Sequence, residues 1–187
     1  MSDNKTVDFD LEEIEQSQRS GMWKHWHEQI FSARVNLKQS EQAPSAGILQ
    51  GRELAEAFMF RMLCVSNEVE FKANKNQDST SFNLMLQLQG TSQIKLEDSD
   101  HLLQPGDIAL FENTSNFQII HNDISEVICL LVPRERIEKT FPSCPHNVAL
   151  QIDGTSTVGA LLRNAVVSAF DSAYQLHPSQ KHIVLRS

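Results

Sequence analysis

The chain has 187 residues, of which 40% are hydrophobic and 21% are charged, a composition typical of a soluble protein with one sizeable core. Its formal net charge is −8 and its 16 Lys and Arg residues form no cluster, which predicts that this chain by itself binds duplex DNA poorly. No apolar run approaches the ~18 residues of a membrane span, and the N-terminus lacks a signal-peptide pattern. We therefore expect a cytoplasmic protein that is not bound to a membrane.

The N-terminal part of the chain divides into three segments. Residues 1–20 are strongly acidic and predict a flexible, solvated arm; the alternative is an arm that docks on a ligand or on a basic partner surface. Residues 39–47 are rich in small and polar residues and predict a loop. Between these segments, a helix from Met22 to Leu37 is predicted by four apolar residues at helical spacing: Trp23, Trp26, Ile30 and Phe31.

Between Ile48 and Val132 the pattern changes to strands. Six short apolar runs are bounded by Asn, Asp, Ser, Gly or Pro: AFMFRMLCV, SFNLMLQLQG, QIKLED, DIALFE, NFQIIH and EVICLLV. In the second run, Phe82, Leu84, Leu86 and Leu88 alternate with Asn83, Met85, Gln87 and Gln89, which is the period of a half-buried strand. Six such runs joined by turn residues predict an antiparallel sandwich or barrel.

The C-terminal part is predicted to be helical. Pro133 can begin a short helix over residues 134–141. Thr155 or Ser156 can cap a longer helix that runs to about Tyr174. This helix has the strongest periodicity in the chain, carried by Val158, Leu161, Leu162, Ala165, Val166, Ala169 and Phe170. A segment from Ser179 begins to look helical and stops at Ser187 without a C-cap, so we expect the natural chain to continue.

Two parts of the sequence resemble the cupin motifs, but the metal ligands of those motifs are missing. Leu103 to Phe111 is similar to the turn and strand that open the second cupin motif, and Gly90 resembles the glycine of the first. Phe117 stands where a metal-binding cupin has its histidine. The ligand positions upstream of Gly90 fall on Asn76 or Gln77, Asp78 or Ser79, and Asn83, none of which is a histidine. A three- or four-ligand site cannot be assembled from these residues, so we expect no metal and no cofactor.

The remaining histidines and cysteines offer little chemistry. His25 and His27 point to different sides of the predicted helix and are expected at the surface. His121 is either a core histidine or a polar contact for a ligand. Cys144 lies two residues from His146, but neighbours in a loop rarely meet in catalytic geometry. The three cysteines are widely spaced, as is typical of reduced and mostly buried thiols, and no motif of a nucleophile or a phosphate site is present.

Taken in order, several segments resemble the N-terminal effector-binding and dimerisation domain of AraC/XylS-type transcription regulators, an AraC-binding-like domain of cupin type. They are the helix from Trp26 to Leu37, Leu86 to Gly90, the L-x-P-G-D signature in Leu103 to Phe111, Val132-Pro133-Arg134, and Gly154 to Tyr174. The chain departs from this family in two respects. Glu70-Phe71-Lys72 stands where many members carry an arginine, and the two helix-turn-helix units that bind DNA are absent.

The resemblance implies a mainly β fold with helices, a cupin-like antiparallel barrel or sandwich preceded by one helix and followed by others. It implies an acidic arm at 1–20, a sensor barrel with its leading helix at 21–150, and a helical dimerisation segment at 151–187. The barrel would bind a small apolar or aromatic effector through candidate residues Met85, Gln87, Phe117, Ile119 and His121. The homodimer contact would involve Val158, Leu161, Leu162, Ala165, Val166, Ala169 and Phe170, although core packing explains the same stripe. DNA would be bound only through the missing domain.

Two other functions stay open. A metal-free cupin-fold enzyme or a stand-alone small-molecule-binding protein would have the same fold, but the sequence shows no clustered acid–base pair. A pure interaction domain would have a barrel filled by its own side chains.

Overall fold

The computed structural model describes residues 6–31, 33–37, 46–54, 57–72, 81–113, 116–143 and 148–175. Within these ranges the chain forms nine strands, three α-helices and a 3-10 turn at Leu11–Glu13. The strands are β1 (Thr6–Asp10), β2 (Arg34–Leu37), β3 (Gly47–Leu54), β4 (Ala57–Lys72), β5 (Ser81–Lys95), β6 (Asp100–Leu103), β7 (Ile108–Glu112), β8 (Phe117–Pro133) and β9 (Ala149–Ile152). The helices are α1 (Gln16–Phe31), α2 (Arg134–Thr140) and α3 (Thr157–Gln175).

All nine strands join one antiparallel sheet, in the order β1-β3-β4-β8-β5-β7-β9, with β2 added to β4 and β6 added to β5. The predicted fold class, a mainly β antiparallel sandwich or barrel with helices, is confirmed. The prediction of six short strands is wrong in detail. The first half of QIKLED is the end of β5, and NFQIIH from its phenylalanine onward and EVICLLV belong to the single strand β8. Polar residues that look like turns between these runs lie inside long strands.

The long strands β4, β5 and β8 are irregular at the same level of the sheet, which we call the bend. Strand pairing shifts register at Val65/Asn67 in β4 and twice between Gln87 and Thr91 in β5. Bulges of this kind bend a strand. Gly90 has a φ of +69°, and a Cβ atom there would lie 2.2 Å from the carbonyl oxygen of Ile124 on β8. The close approach of β5 to β8 at the bend therefore requires glycine at this position.

Because of the bend, the two halves of the sheet face each other and enclose a core. Phe111 of β7 lies 5.3 Å from Phe117 of β8, measured between ring centroids, although the two strands are not hydrogen-bonded neighbours. The apolar side chains that point inward from both halves form one large buried cluster. Helix α1 adds Trp23 and Phe31 to this cluster, so the helix closes the interior.

The outer face of the sheet is covered by α3. Val166 and Phe170 of this helix pack on Met59, Leu86 and Ile128 in a second buried cluster. The predicted helix is confirmed, and Ser156 caps it by accepting a hydrogen bond from the Gly159 N–H at 3.0 Å. The predicted short helix is also confirmed as α2.

The N-terminal predictions need two corrections. Residues 1–20 were expected to be a flexible arm, but β1 pairs with β3 and the chain from Gln16 onward belongs to α1; residues 1–5 lie outside the described ranges. The alternation of apolar Val7 and Phe9 with acidic residues marks a half-buried strand, and both side chains are buried.

The predicted helix from Met22 to Leu37 begins earlier and ends earlier than expected. It runs from Gln16 to Phe31, and Arg34–Leu37 form β2 beside β4. Pairing with β4 buries Val35 in the interior, so a tertiary contact overrides the helical pattern. In the described residues, none of the helices has the length and apolar character that a membrane span requires.

Candidate functional site

The interior of the folded sheet contains a small cavity. It is lined by apolar side chains and two histidines: His27 and Phe31 of α1, Phe60, Met62, Val69 and Phe71 of β4, Met85 of β5, and Ile119, His121, Val127 and Cys129 of β8. The volume open to the centre of a water molecule is about 10 Å³. This is room for about one water molecule, so the interior is nearly filled by the protein's own side chains.

Phe31, the last residue of α1, points its ring into this interior. Its ring centroid lies 4.6 Å from that of Phe71, 5.8 Å from that of Phe60 and 6.1 Å from that of Phe117. The carbonyl oxygen of Phe31 accepts a hydrogen bond from Asn113 Nδ2 at 3.0 Å, which holds the end of the helix over the sheet. Displacement of α1 would therefore open space for a ring-sized molecule.

Five polar side chains lie at the bend, on the inner face of the sheet, and four of them are connected by hydrogen bonds. We call Asn67, Gln87, Ser92, His121 and Ser125 the interior polar cluster; all five are buried. Gln87 Nε2 donates to Ser125 Oγ at 2.8 Å and to the Gln89 carbonyl at 2.6 Å. Ser92 Oγ lies 3.1 Å from Ser125 Oγ and 2.8 Å from His121 Nδ1. His121 is the member of this cluster that lines the cavity, and it connects the cavity to the buried polar groups behind it.

Several buried polar atoms of the interior have no hydrogen-bond partner among the described residues. They include Gln87 Oε1 and Asn67 Nδ2 in the interior polar cluster, and both side-chain polar atoms of Asn83. Each such atom costs about 1–3 kcal/mol, and native structures contain few of them. These atoms are consistent with a site that is completed by another molecule.

Both histidines of the cavity are neutral at physiological pH. Burial lowers the pKa of His27 to about 4, although the hydrogen bond from its Nδ1–H to the Trp23 carbonyl, 2.8 Å long, raises it. Burial also lowers the pKa of His121 to about 3, and the nearby His27 lowers it further. Among the described residues that line the cavity there is no Asp, Glu, Lys or Arg. The site is therefore an uncharged one.

The five predicted ligand-binding residues all point into the interior. Met85, Ile119 and His121 line the cavity, Gln87 belongs to the interior polar cluster, and Phe117 stacks on Phe71 with centroids 4.4 Å apart. The half-buried strand predicted for β5 is buried on both faces, because Leu84, Leu86 and Leu88 lie against α3. Its more polar face is the inner one.

His27 was expected at the surface, and that prediction is wrong. The side chain is 3% exposed and lines the cavity, whereas His25 is exposed as predicted. Trp23, His27 and Phe31 follow one another at intervals of four residues and form the buried side of α1. This spacing is visible in the sequence and could have placed His27 inside.

In the ranges that the structure describes, there is neither a metal-binding group nor an activated thiol. These ranges contain no group of three or more His, Cys, Asp and Glu that could hold a metal ion. Cys64 and Cys129 are buried free thiols, as predicted, and burial raises the pKa of both. Cys144, His146 and the candidate ligand positions Asn76, Gln77, Asp78 and Ser79 lie outside the described residues, as does the segment from Ser179.

The seven predicted dimer residues of α3 fall into two sets. Val166 and Phe170 are buried against the sheet, and Leu162 packs beside them. Val158 and Leu161 are 59% and 66% exposed, and Ala165 and Ala169 are also exposed. We call the last four residues the exposed stripe. The predicted periodicity thus combines a core-facing side and an outward-facing side of the same helix.

Comparison with known proteins identifies the family. The model of the AraC-binding-like domain matches residues 23–186, and the chain belongs to this family. The crystal structure of the AraC-like transcriptional activator CuxR shares the fold, with a TM-score of 0.71 and 15% identity; the match covers 94% of this chain and 64% of that chain. The chain therefore spans less than two thirds of the length of that regulator.

Other solved structures are similar over a smaller part. An HTH_3-family transcriptional regulator from Vibrio cholerae matches with a TM-score of 0.42 and 8% identity, over 61% of this chain and 63% of that chain. The cupin domain of an XRE-family regulator from Enterobacter cloacae matches with a TM-score of 0.38 and 9% identity, over 46% of this chain and 95% of that one. A search of curated protein sequences gave no significant match.

Proposed function

We propose that the chain is the effector-sensing and dimerisation domain of a transcription regulator. The interior of the folded sheet binds a small molecule, and α3 pairs two copies of the chain. DNA is bound by a separate helix-turn-helix domain, since this chain carries a net charge of −8. The regulator acts in the cytoplasm, away from the membrane, and the domain performs no catalysis and needs no cofactor.

The observation that carries this proposal is the position of β5 between the two sites. Gln87 points inward to the interior polar cluster, and its neighbour Leu86 points outward to Phe170 of α3. A molecule that repositions Gln87 would also move the surface on which α3 packs. A ligand can shift a dimer only if it binds one arrangement better than the other, and β5 offers a direct connection between the two.

The exposed stripe supports dimerisation through α3. Val158, Leu161, Ala165 and Ala169 lie on one side of the helix without a charged residue among them, and two of them are large apolar side chains. Exposed apolar area of this kind is typical of protein–protein interfaces. Small residues such as alanine also allow a second helix to approach closely.

Sedimentation of the purified chain tests this part of the proposal. Leu161→Arg places a charge in the centre of the interface and is expected to weaken dimerisation by at least tenfold. Asn164→Arg introduces the same residue at an exposed position outside the stripe and should leave the dimer unchanged. A wild-type monomer at high micromolar concentration, or a dimer that tolerates Leu161→Arg, contradicts dimerisation through the stripe.

A second experiment tests the regulatory role in cells. The chain is fused to a repressor DNA-binding domain that binds its operator only as a dimer. The wild-type fusion is expected to repress a reporter gene. Leu161→Arg should abolish this repression, whereas Asn164→Arg should leave it unchanged. Equal repression by all three fusions would show that α3 does not pair the subunits.

The small volume of the cavity favours a second candidate, a dimerisation domain without an effector. In that case Phe31 is a permanent part of the core rather than a side chain that yields to a ligand. This function is supported if small molecules do not bind in the interior while the chain forms a stable dimer.

A further inference from the structure

The unpaired atoms at the bend indicate what kind of group the interior can receive. Gln87 Oε1 is a buried acceptor without a partner in the described ranges, and Asn67 Nδ2 is a buried donor in the same situation. Asn67 pairs with His121 across β4 and β8, and Gln87 connects to His121 through the two serines. A donor and an acceptor are therefore free within the same polar cluster.

The hydrogen-bond directions in the cluster add a second donor. Gln87 donates to Ser125, so Ser125 can use its hydroxyl proton for Ser92, and Ser92 can use its own for His121 Nδ1. This arrangement leaves no hydroxyl proton unused. It places the proton of the neutral imidazole on Nε2, and His121 lines the cavity. The cluster thus offers two N–H donors and one carbonyl acceptor.

No charged side chain is available to the interior in the described residues. The lining residues include no ionisable group other than two neutral histidines and a buried thiol. The buried charges nearby are already paired: Arg52 with Asp8 at 3.1 Å, and Arg134 with Glu112. Burial of an ion costs several kcal/mol unless an opposite charge accompanies it. A carboxylate or ammonium group would therefore be bound poorly here.

We propose that the effector is an uncharged, mainly apolar molecule whose amide-like or hydroxyl head group binds Gln87, Asn67 and His121 at the bend, in space released by Phe31. This inference rests on the proposed sensing function. The apolar part of the molecule contacts the rings of Phe60 and Phe71, and its head group satisfies polar atoms that the protein leaves unpaired. An anionic effector of the same shape is rejected because its charge would be buried without a counter-charge.

A matched pair of probes tests this class. The two are 4-phenylbutanamide and 4-phenylbutanoate, which share a skeleton and differ in charge at pH 7.5. Binding is measured by calorimetry on the wild type and on Phe31→Ala, whose interior is enlarged. We expect the amide to bind Phe31→Ala more tightly than it binds the wild type. We also expect Phe31→Ala to bind the amide at least tenfold more tightly than the carboxylate.

Three further variants test the head-group contacts. Asn67→Leu and Gln87→Leu, each combined with Phe31→Ala, are expected to weaken amide binding about tenfold. Gln93→Leu is the matched control, because Gln93 lies on the outer face of β5 and bonds to Asp100. Circular dichroism verifies that each variant is folded. If Gln87→Leu fails to fold, Asn67→Leu answers the same question, since the Asn67 Nδ2 group has no partner to lose in the described part of the chain.

The outcomes distinguish failure of the proposed ligand class from failure of the proposed sensing function. A carboxylate that binds as tightly as the amide overturns the uncharged class and leaves a sensing domain in place. Amide binding that neither Asn67→Leu nor Gln87→Leu weakens overturns recognition at the bend. If neither probe binds Phe31→Ala, the interior is not a ligand site, and the sensing function fails with it.

Discussion

The ring of Phe31 in α1 lies 4.6 Å from the ring of Phe71 in β4, measured between centroids, inside the folded sheet. The helix therefore inserts an aromatic side chain into the space where the family resemblance predicts an effector. Removal of that ring leaves an apolar void. We expect Phe31→Ala to lower the free energy of unfolding by about 3 kcal/mol, the usual cost of a buried phenylalanine.

Urea unfolding followed by circular dichroism measures this loss. Phe141→Ala is the control, because Phe141 is 66% exposed and its removal should change stability by less than about 0.5 kcal/mol. Equal effects of the two substitutions would mean that α1 does not close the interior in solution.

The buried histidines make stability depend on pH. The pKa values of His27 and His121 are about 4 and about 3 in the folded protein, below the ordinary 6.5 of an unfolded chain. Well above pH 6.5 the two histidines are neutral in the folded and in the unfolded chain, so their protonation does not lower the free energy of unfolding there. As the pH falls below 6.5, only the unfolded chain takes up protons, and stability is lost by up to about 1.4 kcal/mol per pH unit for each histidine. By pH 4 the loss reaches roughly 3 kcal/mol per histidine.

Urea unfolding at several pH values between 7.5 and 4.5 tests this dependence. His121→Gln should remove one histidine's share of the slope, whereas His25→Gln, an exposed histidine of α1, should not alter it. Carboxylates titrate in the wild type and in the variants alike, so the difference between their slopes of unfolding free energy against pH comes from the histidine. The idea is wrong if His121→Gln and the wild type lose stability in parallel.

The sequence predicts the fold class because the relevant patterns are local. The alternation along β5 and the periodicity of α3 survive in the structure, and Met85 and Gln87, two of the candidate ligand-binding residues, face inward. The acidic charge of the N-terminal segment concealed β1, although Val7 and Phe9 alternate as in a strand. Charge suggests solvation, but the pairing of β1 with β3 is a contact between distant parts of the chain.

The candidate site was less predictable, for a physical reason. Which side chains meet in the interior depends on the bend in β4, β5 and β8, and the bend brings together residues far apart in sequence, such as Gln87 and Ser125. The pairing of β5 with β8 also shifts register twice between Gln87 and Thr91, and Ser92 and Ile94 face inward although simple alternation from Gln87 would put them outside. No local signal reports that the ring of Phe31 lines the cavity.

Asn83 provides a test of stability that does not depend on a ligand. Its side chain is 1% exposed, both of its polar atoms lack a partner in the described residues, and it pairs with Phe111 and Leu131 across the sheet. Leucine has a similar shape and needs no hydrogen bond. We expect Asn83→Leu to raise the free energy of unfolding by about 1–3 kcal/mol.

Urea unfolding checks this prediction against Asn164→Leu, where the asparagine is exposed and the change should stay within about 0.5 kcal/mol. A stability loss in Asn83→Leu would show that the amide is paired in solution, for example by a bound water. In either case the result reports on the end of the interior away from the bend.

Gly90 tests the bend itself. A Cβ atom at this position would meet the Ile124 carbonyl oxygen at 2.2 Å, and the φ of +69° lies in the region that other residues adopt only at a cost. We expect Gly90→Ala to lower the free energy of unfolding by about 3 kcal/mol, since strain of ~1–3 kcal/mol adds to a contact with backbone that cannot move freely.

Gly21→Ala is the control: Gly21 lies in α1 with nothing within 4 Å of its Cβ position, and alanine should stabilise the helix by about 0.5–1 kcal/mol. Opposite signs for these two substitutions, measured by urea unfolding, are expected only if β5 and β8 approach each other closely at the bend; a neutral Gly90→Ala would require a wider separation there and a differently shaped interior.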